Sequence, residues 1–254
     1  MTIRIGVQLQ PQHTTFDKFA HAAQRCEELG VDTLWTWDHF YPLFGDPDGA
    51  HFEGWTILTA IAMLTKRVEL GHLVLCNSYR NPNQVADMAR TLDHCSNGRF
   101  IFGIGSGWFE KDYQEYGYSF GTAPGRLQQL REAMPVILER WKKLNPPPTR
   151  KIPVMIGGGG EKVTLKITAQ YADLWNGFGP PETFAHKCQV LDKHCEDLGR
   201  DPKEIERTVL LTSPGDADQL DAFVEAGATH IIMGLDGDFP LDRVEQLVSW
   251  RDKR

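Results

Sequence analysis

Short, nearly continuous apolar runs recur along this chain at residues 3–9, 33–37, 68–75, 100–104, 153–156, 172–175, 208–211 and 230–233. Runs of this length with little polar alternation predict strands buried on both faces. Between them, apolar positions recur at helical spacing. Phe16, Phe19, Ala20, Ala23 and Leu29 mark one face, Thr14 or Thr15 stands where a cap belongs, and Gly30 stands where the helix should stop. Residues 55–64, 84–95, 127–141, 163–169, 182–198, 219–226 and 241–250 follow the same pattern. Strands and helices in strict alternation predict an α/β fold, a closed TIM (β/α)8 barrel, with a doubly wound open sheet as the alternative. The Pro146-Pro147-Pro148 run fits a stiff turn before the fifth strand better than a linker, so residues 1–254 are expected to form one barrel domain.

Composition narrows the partners. The 254 residues are 41% apolar and 24% charged, ordinary for a globular chain with a sizeable core. With 34 acidic against 27 basic side chains, the net charge of −7 leaves no electrostatic footprint for nucleic acid or an anionic membrane, and a small-molecule partner is expected. Cys26, Cys76, Cys95, Cys188 and Cys195 form no CxxC pair and no zinc-type spacing, which suits reduced thiols in the cytoplasm. Residues 1–10 lack the pattern of a secretory signal, and no apolar run approaches the roughly 18 residues of a membrane span.

In a barrel, the residues just after each strand face one pocket. Here these are Gln8 and Gln10, Asp38 and His39, Cys76 and Asn77, Ser106, Gly107 and Trp108, the run Gly157, Gly158, Gly159 and Gly160, then Asn176 and Gly234. The stretch Trp35-Thr36-Trp37-Asp38-His39-Phe40 carries the strongest signal, because an acid and an imidazole follow directly on an apolar strand. A cap or turn role for Asp38 and a satisfied loop role for His39 are the bland alternatives. The four glycines follow a buried strand and open a helical segment, so their amides suit an anion such as phosphate, or else form only a flexible turn. Their spacing is neither a Walker loop nor GxGxxG. A metal centre is not expected, since His72 falls inside a strand and His21, His94, His186 and His194 fall on helices. No strand-end lysine suggests a Schiff base, and Gly105-Ser106-Gly107 is no nucleophile elbow.

Taken in order, Trp37-Asp38-His39-Phe40, Leu70-Gly71 through Cys76-Asn77-Ser78-Tyr79-Arg80-Asn81-Pro82, Thr91 to Phe100, Gly103-Ile104-Gly105-Ser106-Gly107-Trp108, Ile156 to Gly160 and Ala172-Asp173 resemble the bacterial luciferase-like flavin and deazaflavin oxidoreductases. The likeness is strongest to the branch that uses coenzyme F420, and it spans nearly the whole chain. It implies a TIM barrel holding an isoalloxazine-like ring, with a bulge and a non-proline cis peptide near Leu73-Val74 behind that ring. It implies that Gly157, Gly158, Gly159 and Gly160 receive the coenzyme phosphate, that Asn77 and Ser106 bond the ring or its side chain, with Gly107 beside them, and that Trp108, Trp175 and Asn176 border the cavity. His39 would donate a proton or orient the substrate beside the hydride-transfer carbon, with Asp38 fixing its tautomer or touching the coenzyme. A homodimer is implied as well. Lys111, Arg80 and Arg126 are candidates for a basic rim suited to the carboxylates of the F420 tail, or are plain surface charges.

The chain departs from that family in one place. Only residues 212–229 join the predicted seventh and eighth strands, where many relatives carry a long insertion, so a compact barrel with a more open pocket is expected. Residues 105–127 form the longest remaining connection, and their aromatics suit either a mobile flap or a packed loop or subunit contact. Beside F420-dependent hydride transfer stand an FMN-dependent monooxygenase of the same fold and, from another class, a non-catalytic flavin-binding protein.

Overall fold

In a computed structural model of the protein, which describes residues 2–212 and 214–254, nine parallel strand segments run in the order β3-β2-β1-β9-β8-β7-β6-β5-β4. The ring closes because β3 (Glu69–His72) and β4 (Leu75–Cys76) both pair with β5 (Phe100–Gly105). They are two halves of one interrupted stave, so the sheet is the expected TIM barrel. The predicted third strand is thus broken at Leu73-Val74, where the peptide bond is cis, at the position the family likeness implied. The other strands are β1 (Arg4–Leu9), β2 (Thr33–Thr36), β6 (Val154–Gly157), β7 (Leu174–Gly177), β8 (Glu206–Leu211) and β9 (His230–Leu235).

Strand parity sorts side chains into two layers. Trp35, Ile101, Met155, Leu174 and Ile232 meet inside the barrel, while their neighbours Leu34, Phe100, Phe102, Val154, Ile156, Ile231 and Met233 face the helices. Trp35 fits only because Gly71 stands opposite, where a Cβ would come within 2.7 Å of the indole.

Helices cover the outside: α1 (Phe16–Glu28), α2 (Gly54–Leu64), α3 (Pro82–Cys95), α4 (Glu110–Glu115), α5 (Ala123–Lys143), α6 (Thr164–Tyr171), α7 (Pro181–Asp197), α8 (Leu220–Glu225) and α9 (Leu241–Asp252). Thr15 caps α1 through the Lys18 amide, and Gly30 takes a φ of +90° just past its end, as the sequence predicts. The β8–β9 connection, in which Ser213 lies outside the described residues, holds a 3-10 segment and α8. The short helix α4 within residues 105–127 was not expected.

Candidate active site

A cavity of about 730 Å³ opens at the carboxyl ends of the strands. The structure brings Gln8, Gln10, Asp38, His39, Cys76, Ser106, Gly107, Trp108, Gly157, Gly158, Asn176 and Gly234, which the strand-end reading named, onto its wall, together with Leu73 and Val74, which the family likeness named. Asn77, Gly159, Gly160 and Trp175 lie off it. Asn77 opens a 3-10 turn, Asn77–Tyr79. Trp175 points outward by strand parity, fully buried and stacked on Phe184 at 5.3 Å, and it reaches the site only through its Nε1, which donates to the Gly158 carbonyl at 2.9 Å. Asn176, the next residue, faces inward, and its Oδ1 accepts from Thr208 at 2.8 Å.

His39 has a partner that the sequence reading did not supply. Its Nδ1 lies 2.7 Å from Asp112 Oδ2, on α4, and the Asp112 side chain is fully buried. Asp112 also accepts from the Phe40 amide at 3.1 Å and the Tyr79 hydroxyl at 3.0 Å. Because a carboxylate only accepts, Nδ1 carries the proton in the neutral imidazole, and Nε2 is left as the acceptor.

The expectation that Asp38 orients His39 is corrected by the same geometry. The Asp38 carboxylate takes two hydrogen bonds from Arg80, at 2.6 and 2.9 Å, and one from the Cys76 amide at 3.0 Å. Arg80 also reaches Glu53, which caps α2 through the amides of Trp55 and Thr56. Asp38 therefore ties β2, β4 and α2 together at the cavity wall. Nor do the three expected rim bases form a rim. Arg80 is spent on Asp38, Lys111 binds the Pro47 carbonyl and Asp48, and Arg126 donates to the Gly107 and Phe120 carbonyls over the Phe120 ring.

Arg126 also helps pack residues 105–127. Phe40 stacks on Tyr116 at 3.9 Å, Tyr79 lies near Tyr118 at 5.1 Å and Tyr113 meets Phe120 at 5.0 Å, so the aromatics form a packed loop beside the site. Tyr113 OH lies 3.1 Å from Cys76 Sγ. Burial pushes that thiol upward, so it stays protonated at neutral pH.

Glycines leave one wall bare. A Cβ on Gly105 would come within 2.7 Å of Val74, and one on Gly107 within 2.0 Å of Tyr113 OH. Gly158 takes a φ of +118°, which side chains other than glycine rarely adopt. Beside the glycine run lies Lys187 of α7, whose Cε is 3.7 Å from where a Gly159 Cβ would stand and whose Nζ pairs with Glu161. Sequence reading missed this lysine, since nothing local on a helix marks it.

Within the cavity wall, the buried Gln8 Nε2 donates to the Leu73 carbonyl at 2.9 Å. Trp37 Nε1 donates to His51 Nε2 at 3.0 Å, and burial pushes the His51 imidazole down to about 4, so it accepts that bond in its neutral form.

Several known proteins are similar to this chain. One named F420-dependent glucose-6-phosphate dehydrogenase, from Amycolatopsis mediterranei, is 32% identical over 169 residues, 59% of this chain and 48% of that relative. Another of that name, from Kineococcus radiotolerans, is 28% identical over 240 residues, 87% of this chain and 70% of the relative. This chain thus spans about half the length of the first and about seven tenths of the second. A solved F420-dependent secondary alcohol dehydrogenase, in complex with an F420-acetone adduct, superposes with a TM-score of 0.87 at 19% identity, covering 98% of both chains, which shows the shared fold. The family profile of the luciferase-like monooxygenases matches residues 1–236, and the chain belongs to that family.

Proposed function

We propose that this protein is an F420-dependent oxidoreductase that moves a hydride between the deazaflavin and a small organic substrate. One observation carries the reading: the Asp112-oriented imidazole of His39 stands on the wall of the cavity that the bare glycine strand ends also line. The bound coenzyme supplies the hydride acceptor or donor, and the protein supplies orientation and proton handling.

The wall residues suit such a ring. Leu73 and Val74 from the interrupted stave, the bare strand ends Gly105, Ser106 and Gly107, and Asn176 line the cavity and would hold the ring there. The amides of Gly159 and Gly160 meet no other group among the described residues, and with Lys187 alongside they suit the coenzyme phosphate. At the substrate, neutral His39 takes the hydroxyl proton of an alcohol at Nε2 as the carbon gives up its hydride, and the imidazolium returns that proton to a carbonyl oxygen in reverse. Asp112 stabilises the imidazolium in either direction.

The names of the relatives support F420 over FMN and a dehydrogenase over a monooxygenase. We further infer that residues 1–254 act as one barrel domain, as a homodimer in the cytoplasm. The free cysteines, four of them buried, support the compartment, and no helix among the described residues is long and apolar enough to cross a membrane. Light scattering of the purified protein tests the dimer.

The coenzyme is tested by fluorescence titration with F420 and, separately, FMN. F420 should bind at least about tenfold more tightly, a difference of about 1.4 kcal/mol. Equal or tighter FMN binding overturns the assignment.

A further inference from the structure

Three largely exposed aromatic rings line the cavity. Phe44, Trp108 and Phe178 are 60%, 63% and 53% exposed, and they come from three different connections, after β2, β5 and β7, onto the wall of the same cavity. Large exposed apolar groups gathered at one place on a soluble protein mark a binding surface. Phe44 and Trp108 flank the reacting imidazole through a chain of rings. Phe44 lies 6.4 Å from Trp37, Trp37 meets the edge of His39 at 5.8 Å and 84°, and His39 meets Trp108 at 5.8 Å and 74°. The Trp37 N–H is already committed to His51, so this part of the wall offers a substrate its apolar surface.

The charges of the cavity are disposed differently. Asp38 is neutralised by Arg80. Asp236, from the β9–α9 connection, and Arg243, from the first turn of α9, reach the wall with one charge of each sign, and among the described residues no second lysine or arginine lines it to hold a phosphate dianion.

We infer that the substrate is an uncharged secondary alcohol or its ketone carrying an apolar ring, seated between Phe44 and Trp108 with its oxygen at His39 Nε2, and that it is not a sugar phosphate. This rests on the hydride-transfer reading above. Oxidation of the alcohol removes a hydride from its carbinol carbon to F420 and a proton from its oxygen to His39; reduction of the ketone reverses both transfers.

The test is calorimetric titration of the F420-loaded protein, and in parallel of the coenzyme-free protein, with acetone, cyclohexanone, acetophenone and glucose 6-phosphate. Affinity should rise along the three ketones by about fourfold for each methylene-sized apolar increment buried. Glucose 6-phosphate should bind more weakly than either ring ketone. Phe44→Ala and Trp108→Ala should each cut the preference of acetophenone over acetone by about tenfold, with F420 affinity held within twofold, while Arg243→Ala leaves the ranking in place. A flat ketone series, or glucose 6-phosphate binding that Arg243→Ala abolishes, overturns the substrate class. A kept ranking in protein that fails to bind F420 refutes the coenzyme assignment alone, and a flat ranking beside tight F420 binding refutes the substrate class alone.

Discussion

Asp112 holds the Nδ1 of His39 at 2.7 Å from 73 positions along the chain, and it does so from a helix only six residues long. The imidazole is therefore fixed by the packed aromatic loop rather than by its own strand. Replacing His39 with alanine removes the proton relay but no part of the glycine wall. Turnover should fall by about 10²- to 10⁴-fold while the F420 dissociation constant changes less than about twofold. Steady-state kinetics beside a coenzyme titration checks this; unchanged turnover would remove His39 from the chemistry.

The neighbouring carboxylate should behave in the opposite way. Asp38→Ala leaves the Arg80 guanidinium, whose side chain is 12% exposed, with Glu53 as its one remaining carboxylate partner among the described residues. Loss of one member of a buried pair costs roughly 3–5 kcal/mol, so urea unfolding should shift to a clearly lower midpoint. Asp38→Asn, which keeps an acceptor for the Cys76 amide, should lose less. A fully stable Asp38→Ala protein without activity would return Asp38 to a direct role.

Coenzyme affinity should depend on Lys187 and Gly158. Lys187→Ala removes the cation beside the glycine run and leaves Glu161 with His186 as its remaining partner, so F420 should bind about tenfold more weakly and with less dependence on salt. Gly158→Ala forces a side chain into a φ of +118° and toward Thr164 at 3.3 Å. It should weaken the coenzyme at least as much. Both are read by fluorescence titration at two ionic strengths, and wild-type affinity in Lys187→Ala would place the phosphate elsewhere.

Most of the barrel was legible because its strands are short and buried on both faces, which writes them into the sequence as apolar runs that helices cannot mimic at that length. The strand-end rule then found His39, Asp38 and the glycine wall. The family likeness, not the strand-end rule, put Trp175 at the cavity, and one step along the strand separates the inward Asn176 that the rule named from the outward Trp175. Asp38 as the partner of His39, and Arg80 and Arg126 as rim bases, failed for another reason. Ion pairs between distant segments leave no local pattern, so Asp112 looks no different in sequence from Glu110 or Glu115.

Buried histidines should make stability fall on acidification. His72 is fully buried against Trp55, with ring centroids 4.9 Å apart. Burial pushes it down to about 4, as it does His51. In the unfolded chain both histidines take up a proton near pH 6.5, whereas in the folded protein they resist it until about pH 4. Between those values the unfolded state binds more protons, so stability drops as pH falls, by on the order of 2 kcal/mol per histidine at pH 5. Burial raises the Glu206 carboxyl and acts in the opposite sense as that group protonates, offsetting part of the loss. Urea unfolding at pH 7 and pH 5 should show a lower midpoint at pH 5, and His72→Gln, which cannot titrate, should narrow the gap between the two. A gap equal to wild type in that variant would show that His72 contributes nothing to the acid sensitivity.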